Sequence, residues 1–221
     1  MGIFSLISSG LDSATIIAML FAWIISVTVA LCAHEYSHAL VAVKMGDNTP
    51  KMAGRLTLNP AAHFDAVGLL FMIILGFGWA KPVPIQSSNF RNIKKGEIWV
   101  SLSGVLTNLA LCIISTFLYV LCFNLLDSSI LFCQFLITLF LYSAMINFFF
   151  ALFNILPIPP LDGFNFVAAF CKYDNKYIVF MRQYAMIIML VLLGVIMLTD
   201  VFSIIANFVI GNLVALFSMI F

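Results

Sequence analysis

The sequence predicts an all-α protein that crosses a membrane several times, and three observations carry that prediction. Of the 221 residues, 64% are hydrophobic and 9% charged, against roughly 45–50% and about 25% in an ordinary soluble domain. Mean hydropathy is +1.16, and several apolar runs approach the ~20 residues that a bilayer-spanning helix needs. All ten Lys and Arg fall in three short stretches between those runs. A formal charge of +1 leaves too few cations for a phosphate-binding surface, so neither nucleic acid nor a nucleotide is expected as a partner. The expected surroundings are the lipid bilayer. Cys32, Cys112, Cys122, Cys133 and Cys171 form no CxxC pair, which argues against a disulfide framework or a thiolate metal site.

The cations set the orientation. Lys44, Lys51 and Arg55, then Lys81, Arg91, Lys94 and Lys95, then Lys172, Lys176 and Arg182 mark three cytoplasmic stretches by the positive-inside rule. Connections around Asp12, Asp127 and Asp200 carry acids and no cations, and are placed outside. Residues 14–43 therefore run inward, 98–123 outward, 131–153 inward and 183–199 outward, and 203–220 return. The first run has no basic residue before Lys44 and no small-residue cleavage site, so it is expected to remain as a span. Counting a fifth or sixth crossing, about five to six segments are expected in one domain covering residues 1–221.

Two stretches do not fit simple spans. Residues 66–80 have cytoplasmic loops at both ends and are expected to re-enter or to form a short displaced helix. Residues 154–171 contain Pro157, Pro159, Pro160 and Gly163, which a packed spanning helix does not carry without a protein neighbour to satisfy the freed backbone groups. Interrupted backbone at membrane depth is expected there, lining a site.

The chemistry concentrates in LCAHEYSHALVAV. His34 and His38 stand four residues apart and share a helix face, and Glu35 follows His34 by one residue, about 100° further round. This is HExxH: two imidazoles for zinc and a carboxylate to handle the proton of the attacking water. Two of the chain's three histidines and one of its two glutamates occupy this one turn. Ionisable groups inside a bilayer cost on the order of 2.5–3.5 kcal/mol each, so a functional reason is the default. Ten residues separate His34 from Lys44, about 15 Å along a helix, which sets the site below the surface, nearer the cytoplasm. Two histidines leave a tetrahedral zinc short of one protein ligand. Among Asp65, Glu97, Asp127, Asp162, Asp174 and Asp200, the aspartate in FNILPIPPLDG stands out, because Asp162 lies in the interrupted backbone amid apolar residues.

HExxH in an early span, then NPAAH with GWAKPVPI, then NILPIPPLDG, resembles the site-2 protease family of intramembrane zinc metalloproteases, in its small bacterial branch without a PDZ domain. The resemblance covers roughly residues 30–171. It implies a catalytic core of three helices within about 14–171, with further helices over 180–221. It also implies one Zn2+ per chain held by His34, His38 and Asp162, with Glu35 as general base. The implied substrate is a membrane-spanning protein segment cut inside the bilayer, and the implied location is a bacterial plasma membrane. Asn154, opening NILPIPPLDG, and Asn108, closing SGVLTN, are implied to hold substrate or the oxyanion; amide donors suit developing negative charge in a dry site. His63 and Asp65 match NPxxH-x-D and are expected near the site in a structural or gating role. Gly76 and Gly78, before AKPVPI, are expected to open a short β-strand or re-entrant element over 76–90 whose edge pairs with substrate. Two positions depart from the pattern: Ala66 and Val105 stand where prolines are usual. Other classes remain beside this one, namely a non-catalytic zinc-binding membrane protein, a metal transporter, or the prenyl-protein type of intramembrane metalloprotease. The last takes a glutamate as third ligand, and only Glu97, in a lysine-rich loop, is left for that.

Overall fold

The computed structural model describes residues 12–65, 67, 68, 71, 78–172 and 174–220. Among them, four helices are long and apolar enough to cross a membrane. They are α1 (Ser13–Met45), α3 (Ile93–Leu125), α4 (Leu131–Asn154) and α8 (Val201–Ser218). The short helices α2 (Thr49–Met52), α5 (Asp162–Ala168), α6 (Lys176–Gln183) and α7 (Ala185–Leu198) join them. Helices α6 and α7 meet at a 72° bend and give a fifth crossing if taken as one broken span. The molecule is thus an all-α multi-pass membrane protein, as the composition requires.

Each long helix ends where its sequence supplies a terminator. Asp12 caps α1, its carboxylate accepting from the Thr15 N–H at 3.1 Å. Gly46, at φ 115°, closes the other end in the left-handed region. Asn92 caps α3 by accepting from the Lys95 N–H at 2.9 Å. Helix α4 stops at Asn154, three residues before Pro157.

Helices α1, α3 and α4 pack against one another and form the core. Close approach rests on small residues: Ala22, Ala30, Ala39 and Ala42 of α1 and Ala144 of α4 have no exposed surface, and neither has Ser26. Ile17, Phe21 and Ile24 on the outer side of α1 are exposed, as lipid-facing residues must be. Helix α8 joins through Ala206 and Ile210, which pack on Cys112, Ala144 and Phe148.

Between α1 and α3 the chain builds a polar loop region at the end of α1 that carries Lys44. Asp47 is fully buried and accepts from the Thr49 N–H at 3.0 Å, the Asn89 amide at 2.9 Å and the Gln86 N–H at 2.7 Å. Arg55 donates to the carbonyls of Ala62 and Lys81. These bonds tie residues 46–62 to residues 81–89.

The element expected over 76–90 takes a different form. Among the described residues there is no β-strand: Phe64 and Ala80 form an isolated antiparallel bridge, residues 81–86 have no regular secondary structure, and Ser87–Asn89 form one 3-10 turn. Pro82 and Pro84 remove donors that a continuing ladder would need, and Arg55 occupies the Lys81 carbonyl. Most of the re-entrant segment expected over 66–80, Gly76 included, lies outside the described residues.

Candidate metal centre

Helix α1 carries His34, Glu35 and His38 in one turn. His34 Nε2 lies 3.0 Å from His38 Nε2. Asp162 Oδ2 lies 3.1 Å from the first and 3.2 Å from the second. Among the described residues these three are the group able to hold a metal. Both histidines are buried, at 7% and 6% exposure.

Asp162 arrives from the interrupted stretch. After Asn154 the chain turns on Leu156 N–H to Phe153 O and Leu161 N–H to Ile158 O, then starts α5 at Asp162 itself. The carboxylate occupies the first turn of that helix, where the helix dipole favours negative charge. Gly163 lets this corner close, because a Cβ there would come 2.1 Å from the Ile155 carbonyl oxygen.

The outer nitrogens determine what the inner ones present. His38 Nδ1 lies 2.8 Å from the Val100 carbonyl oxygen, which has no hydrogen to give, so Nδ1 donates. Ser103 Oγ sits 3.1 Å from the same nitrogen. His34 Nδ1 lies 2.6 Å from Asn108 Oδ1. The Asn108 amide nitrogen donates to the Ala30 carbonyl at 3.2 Å and to Asn147 Oδ1 at 2.8 Å, so Oδ1 is the acceptor and His34 Nδ1 the donor. In their neutral forms both rings therefore direct an Nε2 lone pair toward a carboxylate oxygen, and Asp162 Oδ2 is buried without a hydrogen-bond partner. Three lone pairs converging without a proton between them repel unless a cation stands among them. A tetrahedral zinc with bonds of about 2.0–2.1 Å spaces its ligand atoms ~3.3 Å apart, close to the observed triangle. The residues fit the metal.

Glu35 and His34 line a cavity of about 1030 Å3, bounded by α1, α4, Gly78–Ala80, Pro160–Leu161 and residues of α7 and α8. Its wall is largely apolar, with Trp23, Trp79, Phe149 and Phe153 among its aromatic side chains, and Asn154 contributes an amide.

The other expected residues are distributed as follows. Asn154 lines the cavity and donates to the Phe150 carbonyl at 3.0 Å. Asn108 does not line it: fully buried, with its oxygen and amide nitrogen engaged, it holds His34. His63 is fully buried outside the trio, its Nε2 donating to the Thr57 carbonyl at 2.7 Å and its own carbonyl accepting from the Lys81 N–H at 2.8 Å. It supports the loop that carries Ala80. Asp65 accepts from Gly68 N–H at 2.9 Å and Val67 N–H at 3.1 Å, capping the following turn. Gly78 lines the cavity.

Sequence reasoning missed two residues. Asn147, 1% exposed, fixes the orientation of the Asn108 amide while donating to the Ser143 carbonyl at 2.8 Å. Gly104 lies under the His34 ring, where a Cβ would come 2.4 Å from His34 Cε1. An amide within the apolar run LYSAMINFFFAL was the available signal for the first; for the second, no local signal existed.

Comparison with known proteins points to zinc metalloproteases. The model of peptidase family M50 matches residues 123–198. A Bacillus subtilis (strain 168) protein, YwhC, a candidate zinc metalloprotease by name, is 39% identical over 145 residues, 65% of this chain and 66% of its own. Rip2 of Mycobacterium tuberculosis (strain H37Rv), named in the same way, is 29% identical over 174 residues, 74% of this chain and 63% of its own. The matched stretches thus span just under two thirds of these relatives' lengths. No solved structure matches. With the HExxH turn and the LDG aspartate meeting at one point, the chain belongs to peptidase family M50, the site-2 protease family.

Proposed function

We propose that the chain is an intramembrane metalloendopeptidase that hydrolyses peptide bonds within or near membrane-spanning segments of other proteins. The observation that carries the proposal is the convergence of His34 Nε2, His38 Nε2 and Asp162 Oδ2 at 3.0–3.2 Å beside a cavity that Glu35 lines. When bound by His34, His38 and Asp162, zinc supplies Lewis acidity to the scissile carbonyl and to the attacking water.

Glu35 takes the water's proton on a carboxylate oxygen and delivers it to the departing amine nitrogen. No covalent bond between chain and substrate is required. Asn154 offers its amide to the oxygen that gains negative charge. Asn108 keeps the His34 ring in the tautomer that presents Nε2. The apolar wall excludes bulk water and accepts apolar side chains. A spanning helix has its backbone bonds satisfied internally, so the substrate must unwind locally before its carbonyl reaches the centre, and helix-breaking residues near the cut favour cleavage. Residues 14–171 form the catalytic core and 180–221 complete a single domain. The three basic stretches orient the protein with the centre nearer the cytoplasm, in a bacterial plasma membrane.

The test is cleavage of a transmembrane peptide in proteoliposomes by wild type and by Glu35→Gln. The variant should keep its zinc and lose about 10²–10⁴-fold in turnover. Cleavage by Glu35→Gln at the wild-type rate contradicts the mechanism.

A further inference from the structure

The cavity that holds His34 and Glu35 is bounded on another side by α8, which lies beyond the matched family segment 123–198. Ser203 and Asn207, one helical turn apart on α8, both line it, with Thr199 just before the helix. The Thr199 hydroxyl is engaged, donating to the Val195 carbonyl at 2.7 Å.

Asn207 differs from the other asparagines of the long helices. Asn124, Asn147, Asn154 and Asn212 each donate their amide to the carbonyl four residues back, and Asn108 is bound into the His34 network. Asn212, on the same helix and exposed as Ser203 and Asn207 also are, bonds Phe208 O at 2.7 Å, the way an amide is kept satisfied in apolar surroundings. Among the described residues neither the Asn207 amide nor the Ser203 hydroxyl makes a hydrogen bond. Unbonded polar groups at membrane depth are unfavourable unless the space they face brings partners. That space is the one Glu35 faces.

We propose that Ser203 and Asn207 form a subsite that hydrogen-bonds the main chain of the unwound substrate segment. The inference rests on the proteolytic reading above. Around the cut, a spanning helix gives up its internal hydrogen bonds and exposes N–H and C=O groups to a cavity lined mainly by apolar side chains. An amide supplies both a donor and an acceptor, and so does a hydroxyl. Both are uncharged, which suits the uncharged N–H and C=O groups of an unpaired main chain. The ligand class is an apolar segment with broken helical pairing, held by its backbone.

The experiment measures binding of a fluorescent Leu/Ala-rich transmembrane peptide with a central Gly-Pro break to the zinc-loaded Glu35→Gln protein in vesicles. Adding Asn207→Leu and Ser203→Ala should weaken binding about threefold to tenfold, the range for hydrogen bonds inside membranes. Zinc content and helicity should not change. Asn207→Gln should retain binding, and Asn212→Leu should leave it unchanged. With Glu35 present, the same pair of substitutions should raise KM and spare kcat. If Asn207→Leu lowers helicity, Asn207→Ala carries the same test. Unchanged affinity in the paired variant, with the peptide still cut by wild type, overturns the subsite alone. A peptide neither bound nor cut by wild type overturns the proteolytic reading and the subsite with it.

Discussion

His34 and His38 are held by their Nδ1 protons, so the effect of substitutions that touch neither ring is decided there. Asn147 acts on His34 through Asn108, at 2.8 Å and 2.6 Å. Asn147→Leu frees the Asn108 amide to turn and present its nitrogen to His34, which then loses the acceptor that fixes its tautomer. Zinc affinity, read by competition with a chelator, should fall about 10- to 100-fold, the usual range for partners of metal-bound histidines, while helicity is retained. Affinity equal to wild type contradicts the relay. At this scale the sequence was legible wherever chemistry and spacing coincide: HExxH declares itself, and Asp162 stands out by its apolar setting. Asn108 was legible as functional but not in its role, because the choice between cavity and histidine depends on the rotation of α3 against α1.

Among elements, the close approach of α3 to α1 depends on Gly104. A Cβ at 2.4 Å from Cε1, 2.6 Å from Nε2 and 2.7 Å from Nδ1 of His34 cannot be accommodated without moving the ring. Gly104→Ala should therefore abolish tight zinc binding more completely than Asn147→Leu, measured in the same competition; retained affinity contradicts the observed packing. The loop region makes a pH prediction. Burial alone would raise the Asp47 carboxyl, but hydrogen bonds from the Gln86 N–H, the Thr49 hydroxyl and N–H and the Asn89 amide outweigh it and hold the group below the usual carboxylate range. With the folded value depressed, this contribution is present above the unfolded pKa of about 3.9 and is lost as pH falls through the folded value. Asp47→Asn should cost about 1.5–3 kcal/mol of stability at neutral pH, read as a lower thermal midpoint, and the gap to wild type should begin to narrow below about pH 4 and close as pH falls through the lower folded value. An unchanged midpoint at neutral pH removes Asp47 from the account. The interrupted stretch around NILPIPPLDG was legible from its prolines. The form of the β-strand or re-entrant element expected over 76–90 was not, because an irregular proline-punctuated segment and a paired strand look alike in sequence until a partner such as Arg55 takes the Lys81 carbonyl.

For the whole molecule, composition determined the class, while the packing of α8 across the cavity had no signature in its own apolar sequence; the orientation that the basic stretches predict awaits a topology test. An epitope tag in the loop at Asp127–Ser129 should be accessible from outside intact cells, and one near Lys172–Asp174 only after the membrane is opened. The reverse pattern inverts the topology and moves the centre away from the cytoplasm.

The central claim is that His34, His38 and Asp162 hold one zinc. Metal content of the purified protein by mass spectrometry tests it most directly, comparing wild type with Asp162→Ala and with His34→Ala/His38→Ala. About one zinc per chain in wild type, less in Asp162→Ala and none in the double variant is the predicted result. Undiminished zinc in the double variant, or none in folded wild type, contradicts the claim.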